Sequence, residues 1–317
     1  MSAILLDTTP AAGAPKAARR HTGGGLITAI RGNNKAKIGV ALFLVFAIMA
    51  AFPHLVTMLE TTSAHPKQVA TFEGRLHPGA HHWLGTTGLG EDIFAQLVYG
   101  TRQSMGIALI AGLFATILSV IIGVSAAYLG GIGDDLLSFI TDVFLVIPTF
   151  PLIIVLAAYV GKGSFWVIVV VLVVTGWSYG ARQLRAQTLS LRNREFLESA
   201  RVRGERRSYI IVMEVLPTMS SLILANFLGA ALYSVLAAAG LQFLGLGDTA
   251  ANSWGTMLYW AQNQNALLGG LPAWEIVPGL CIALLGASFA LLNYAFDEIS
   301  NPALRPVRRI RVKHANP

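Results

Sequence analysis

Residues 195–217, EFLESARVRGERRSYIIVMEVLP, form a polar, arginine-rich insert between long apolar runs. A helix is expected to start at Glu195, where Phe196, Ala200 and Gly204 fall in an i, i+4, i+8 row along one face. Small residues on such a row let another backbone come close. A glycine inside a helix costs about 1 kcal/mol against alanine, so Gly204 serves either a close approach or a chain reversal. The Arg206, Arg207, Ser208 run fits a turn. IIVMEVLP then returns toward apolar sequence, and at Leu216-Pro217 a new helix can begin but an old one cannot continue.

What flanks this insert sets its environment. Apolar residues make up 54% of the 317-residue chain and charged ones only 12%, well below the roughly one quarter of a soluble domain, which points to burial against lipid. A net charge of +7 would suit nucleic acid on a soluble fold, but here the basic residues cluster beside apolar runs. Cys281, the one cysteine, lies inside such a run and has no partner for an internal disulfide.

The chain divides into a flexible basic tail (1–37), a first span with an outer segment (38–103), a core (104–300) carrying the loop 182–217, and a second basic tail (301–317). An all-α polytopic membrane protein with six transmembrane helices is predicted, the spans near 38–57, 104–128, 136–160, 164–181, 219–240 and 276–296. Asp134 and Asp135 fall in a tight glycine loop before the third span. Trp177 and Tyr179 close the fourth as interfacial aromatics. Ala225 and Gly229 in the fifth are spaced for close helix packing. In this arrangement 19 of the 23 Lys and Arg fall on inner segments, so the positive-inside rule selects cytoplasmic termini and a cytoplasmic 195–217 helix.

Polar side chains within spans are the candidates for a solute path: Asp142 in the third, with Asn226, Tyr233 and Gln242 in and just after the fifth. Asp142 lies about two turns from the loop end, so a structural ion pair is the competing reading. Trp254, Tyr259 and Trp260, in the charge-poor segment 247–275, are expected at the outer surface as contacts for an external protein. His81 and His82 raise a metal, but adjacent residues do not share a face and no Cys or acid completes a ligand set, so no metal site is assigned. Gly161-Lys162-Gly163-Ser164 lacks the glycine spacing of a phosphate-binding loop, so nothing in the chain is expected to cradle a nucleotide. No Ser-His-Asp set or paired carboxylates on one element indicate an enzyme.

The spacing Glu198, Ser199, Ala200, Gly204, Leu216, Pro217 resembles the Glu-Ala-Ala…Gly…Leu-Pro signature of ABC importer permeases, with Ser199 in place of an alanine. HWLGTTGLGEDIFAQLVYGTRQS (82–104), with Gly85, Thr86, Leu89, Gly90 and Asp92, resembles the pattern before the second span in the peptide and nickel branch. FLGLG followed by SWGTML, Pro278-Gly279 and Asn301-Pro302 look like the second permease subunit of oligopeptide and dipeptide importers. The resemblance implies the ABC type I importer permease fold and a heterodimer with a homologous permease in the bacterial inner membrane. It also implies two ABC ATPases that bind ATP and Mg, an extracytoplasmic binding protein, no cofactor on this chain and no nucleic-acid partner. On it, Glu198, Ser199, Ala200, Arg201, Gly204, Leu216 and Pro217 shape the helix that couples to the ATPase. Relatives commonly carry a Glu before FLGLG where this chain has Ala238, which leaves oligosaccharides beside peptides as substrates. A proton-coupled carrier and a membrane scaffold are the further alternatives.

Overall fold

The computed structural model describes residues 33–60, 74, 76–160 and 164–300. Most of the N-terminal basic tail, all of 301–317 and the turn at Lys162 lie outside them. Among the described residues the structure is helical, with a single isolated β-bridge between Thr86 and Asp92.

α1 (Asn34–Ala51) is capped by the Asn33 side chain, and α2 (Pro53–Thr57) follows after a break at Phe52. α3 (Ile93–Leu129) starts where Asp92 Oδ1 accepts from Ala95 N at 2.7 Å, an N-cap that satisfies one of the open donors of the first turn. Its 37 residues make a rod of about 55 Å, longer than the roughly 30 Å of a bilayer's apolar core. The end of the outer segment and the second span, expected as separate pieces, are thus one helix, and the boundary drawn at 103/104 falls inside it.

The third span, predicted as a continuous 136–160, is instead α4 (Gly131–Val146) and α5 (Thr149–Val160), bent by 90°. Pro148 drives the preceding residue out of helical geometry, and Ile147 is extended at φ −66, ψ 128. Asp134 and Asp135 are already helical, so the glycine turn is confined to Gly130 and Gly131. The fourth span is also jointed: α6 (Phe165–Gly176) and α7 (Ser178–Leu191) meet at 42°. Trp177, expected at the interface, is buried at this joint, 5.3 Å from the Phe144 ring, and its carbonyl accepts from Ser119 Oγ at 2.6 Å.

Beyond α8 (Glu195–Val202) and α9 (Arg207–Ile210), a π-helical turn at Ile211–Val215 leads into α10 (Leu216–Thr218) and α11 (Ser220–Phe243). Pro217 has no N–H to return to the preceding turn, and the widened turn accommodates that missing bond without ending the helix. α12 (Trp254–Asn263) begins with a Ser253/Thr256 capping box, and α13 (Pro272–Ser300) closes the described chain. α1, α3, α11 and α13 are each long and apolar enough to cross a membrane, and counting each bent pair as one span brings the number to six.

α3 is the central post, against which α11, α7, α6 and α1 pack. The approach is close because the contact residues are small. A Cβ on Gly112 would come within 2.8 Å of Ala231 N in α11, and one on Gly180 within 2.7 Å of Ser119 Oγ in α3. Such contacts replace the hydrophobic drive that lipid cannot supply between helices. Ala225 and Gly229 do not join them; both face the cavity described below.

Candidate functional site

The arginine-rich stretch forms a short helix held on a small apolar base. Leu197 and Ala200 are its buried side, joining Val124, Leu184, Leu191, Ile210, Val215 and Met219 in one cluster. Phe196 is 40% exposed, so the row proposed through Phe196, Ala200 and Gly204 is not the packed face. The helix ends at Val202 and Gly204 stands beyond it at φ +78. Gly204 N donates to Arg201 O at 3.0 Å and Glu205 N to Ala200 O at 3.2 Å, the paired bonds of a Schellman stop with glycine in the left-handed position. Of the two roles open to Gly204, chain reversal is the one observed: an added Cβ would meet nothing within 4 Å.

The outer side of α8 carries Glu195, Phe196, Glu198, Ser199 and Val202, the last 84% exposed. Its acids stand in the first turn and Arg201 in the last, the order that complements the helix dipole. Arg201 turns back toward the bundle, its guanidinium 5.8 Å from the Tyr128 ring. Ser199 Oγ donates to Glu195 O at 2.9 Å. Leu216 is half-buried and Pro217 exposed at the π-helical turn that carries the chain from this projection into α11.

A cavity of about 650 Å³ opens between α3, α4, α6, α7, α11 and α13. Its polar lining includes Thr116, Gln183, Asn226, Tyr233 and Asn293, and no charged side chain lines it among the described residues. The Tyr233 hydroxyl, which lies near the Thr175 side chain, and Asn293 Oδ1 are buried atoms without a well-formed hydrogen bond to the protein. An unmet polar atom in such a place costs free energy unless water or a solute satisfies it. Asn226 holds its position by donating from Nδ2 to Leu222 O at 3.2 Å. The sequence reading missed Gln183, Thr116 and Asn293, although Asn293 is an amide inside an apolar span and was open to the reasoning applied to Asn226.

The other nominated residues lie elsewhere. Asp142 is exposed beside α7, with Arg182 Nη2 at 3.3 Å, outside the cavity lining. Gln242 is buried and accepts from Ser253 Oγ at 2.8 Å, tying the end of α11 to the start of α12. Trp254, expected at the outer surface, is 0% exposed: its indole N–H donates to Leu97 O at 3.0 Å and its ring meets Phe46 edge-on at 5.3 Å. The Ser253/Thr256 capping box winds this segment into α12, and Trp254 is carried into the core. Tyr259 is half-buried, and Trp260 is exposed with its indole N–H on Thr249 O. Ala238 is buried in the cluster with Ile153, Leu172 and Leu241 and is not among the residues that line the cavity.

At the N-terminal end of α3, the loop with Gly85 and Gly90, both at φ +80, folds back so that Ile93 N donates to Gly85 O at 3.2 Å. His82 Nδ1 lies 2.7 Å from Asp92 Oδ2, and Trp83 N donates to the buried Glu60 carboxylate. Burial pushes the Glu60 carboxyl above the usual range; the Trp83 N–H opposes this and nearby Asp92 adds to it. His82 thus has acids nearby after all, from 10 residues away and from α2's end, as a structural cluster joining the outer segment to α3.

Comparison with known proteins agrees with this architecture. The family described as binding-protein-dependent transport system inner membrane component matches residues 119–306, more than half of the chain. The oligopeptide transport system permease protein OppC of Mycobacterium bovis is 32% identical over 234 residues, 73% of this chain and 79% of that protein. The dipeptide transport system permease protein DppC of Alkalihalophilus pseudofirmus is 30% identical over 278 residues, 87% and 88%. The nickel transport system permease protein NikC of Escherichia coli K12 is 33% identical over 235 residues, 72% and 82%. In structure, the chain is similar to one from the inward-facing MetNI methionine ABC transporter, with a TM-score of 0.52 and 19% identity over 66% of this chain and 97% of the other. The fold is that of a type I ABC importer permease. With its cavity, its projecting helix and these relatives, the chain belongs to the binding-protein-dependent transport system inner membrane components, as an ABC importer permease of the peptide and nickel branch.

Proposed function

We propose that the chain forms, with a homologous permease, the path by which oligopeptides or dipeptides cross the bacterial inner membrane. An extracytoplasmic binding protein delivers the solute on one side, and two ABC ATPases drive transport from the other. Both termini are cytoplasmic. The chain itself binds no cofactor; ATP and Mg belong to the ATPases. α8 is the coupling helix, with Glu195, Phe196, Glu198, Ser199 and Val202 as the face offered to the ATPase.

The observation that carries this reading is the uncharged polar lining of the cavity, with the unmet Tyr233 hydroxyl and Asn293 Oδ1. Amides and hydroxyls hydrogen-bond a peptide backbone in passing without holding it, and about 650 Å³ is in the range of small-molecule sites. A divalent cation is better held by carboxylates, imidazoles or thiolates. Sugar hydroxyls would suit the same lining, so uptake decides between them. A strain lacking this chain is tested with labelled dipeptides and oligopeptides, β-linked oligosaccharides and nickel. Loss of peptide uptake alone, restored by the gene, is the expected result. Unchanged peptide uptake refutes the assignment, and loss of oligosaccharide or nickel uptake in its place reassigns the substrate.

A further inference from the structure

Arg192, which follows α7, Arg201 of α8 and Arg207 of α9 converge with Tyr128, Glu205 and Ile210 on a cleft of about 340 Å³ at the C-terminal end of α3. Arg192 lies against Gly130, where an added Cβ would be 3.2 Å from Nη1, and Nη1 donates to Ala127 O at 3.5 Å. Arg201 covers the Tyr128 ring. Among the described residues the ion pairs are His82–Asp92, Arg182–Asp142, Arg185–Asp134 and Arg203–Glu205; none takes Arg192, Arg201 or Arg207. Three guanidiniums therefore face one cleft with a single carboxylate on its wall, and that carboxylate lies 4.0 Å from an arginine outside it. Positive charge concentrated in this way favours an anion in the space between the three guanidiniums.

The position of the cleft indicates which anion. Tyr128 ends the apolar run of α3, and Gly130 and Gly131 lead directly into the outward row Ile132, Leu136, Phe139 of α4, with Ile132 86% exposed. An aromatic ring, a cluster of arginines and an apolar wall in sequence match the profile of a membrane from headgroup to acyl chain. We propose that this cleft binds the phosphate headgroup of an anionic phospholipid of the cytoplasmic leaflet, its acyl chains lying along α4. The side of the membrane rests on the proposed orientation; the binding itself does not.

The test is native mass spectrometry of the intact transporter complex in detergent, titrated with phosphatidylglycerol, phosphatidylcholine or inorganic phosphate. Phosphatidylglycerol is expected to bind in preference to phosphatidylcholine, and millimolar phosphate not to displace it. Arg192→Gln, Arg201→Gln and Arg207→Gln each weaken it about fivefold, the usual effect of one basic residue at a membrane surface. Arg206→Gln, outside the cleft lining, leaves it unchanged. Equal binding by wild type and the three variants overturns the site, as does equal loss in the Arg206 variant. Displacement by inorganic phosphate overturns the lipid and assigns a free anion. Loss of co-purifying ATPase with lipid binding intact overturns it in favour of an acidic protein surface. Should the arginine variants fail to assemble, Glu205→Gln removes the carboxylate of the cleft and is expected to tighten phosphatidylglycerol; unchanged affinity then overturns the proposal. Because lipid binding is read without any transported solute, its failure is separate from a failure of the peptide assignment.

Discussion

Gly204 offers a test in which backbone and surface effects separate cleanly. At φ +78 it sits where a residue with a Cβ is strained, and beyond its two chain neighbours no atom of the described residues lies within 4 Å of where that Cβ would be. The internal cost of Gly204→Ala is therefore the backbone penalty alone, about 1–2 kcal/mol, and Asn, which tolerates this conformation, costs less. Arg carries the same backbone penalty as Ala. A larger loss in Gly204→Arg than in Gly204→Ala is then the effect of the long charged side chain, which on the proposed function meets the ATPase. All three variants should reach the membrane. In proteoliposomes containing the complete transporter, the Ala and Asn variants should retain most binding-protein-dependent uptake, while Arg retains ATP hydrolysis but loses uptake. Import by the Arg variant at the rate of the Ala variant would refute the docking role. Failure of the Ala variant to assemble would refute the claim that the position is free of internal contacts.

Tyr233→Phe removes a hydroxyl without a well-formed hydrogen bond in the protein, so thermal unfolding should stay within about 0.5 kcal/mol of wild type while the KM for uptake rises; a large drop in unfolding temperature would make nearby Thr175 a true partner. Trp254→Ala empties a fully buried site and removes one of the donors to Leu97 O, Thr101 Oγ1 remaining at 3.0 Å, at about 3–5 kcal/mol; near-native stability in a detergent melt would contradict its place in the core. Glu60 has a carboxyl raised chiefly by burial, so the folded protein holds this proton more tightly than the unfolded chain. That contribution is full below the ordinary glutamate range and is lost as pH rises through the folded value. Glu60→Gln keeps an acceptor for Trp83 N–H without the charge. It should melt higher than wild type at pH 7, the gap closing as pH falls toward 4.5; a gap that widens on acidification would reverse the sign and the argument.

Several features could be read without coordinates because each depends on local chemistry. Apolar runs long enough for a bilayer can only be buried helices, so the all-helical membrane class followed from composition and length alone. The spacing of Glu198, Ala200, Gly204 and Pro217 in one continuous stretch carried the family resemblance, and the family comparison agrees with it. Side-chain direction was another matter. Periodicity put Phe196, Ala200 and Gly204 on one row, but the helix stops after Val202 and it is Leu197 that shares the buried face with Ala200. No sequence signal distinguished an outer-loop Trp254 from a core one, because its burial depends on Leu97 and Phe46, more than 150 residues away in the chain. The same holds for the unpaired arginine cleft and the uncharged cavity. Each is formed by residues from distant helices, so only the packing of those helices around α3 decided which polar groups meet and which are left facing open space.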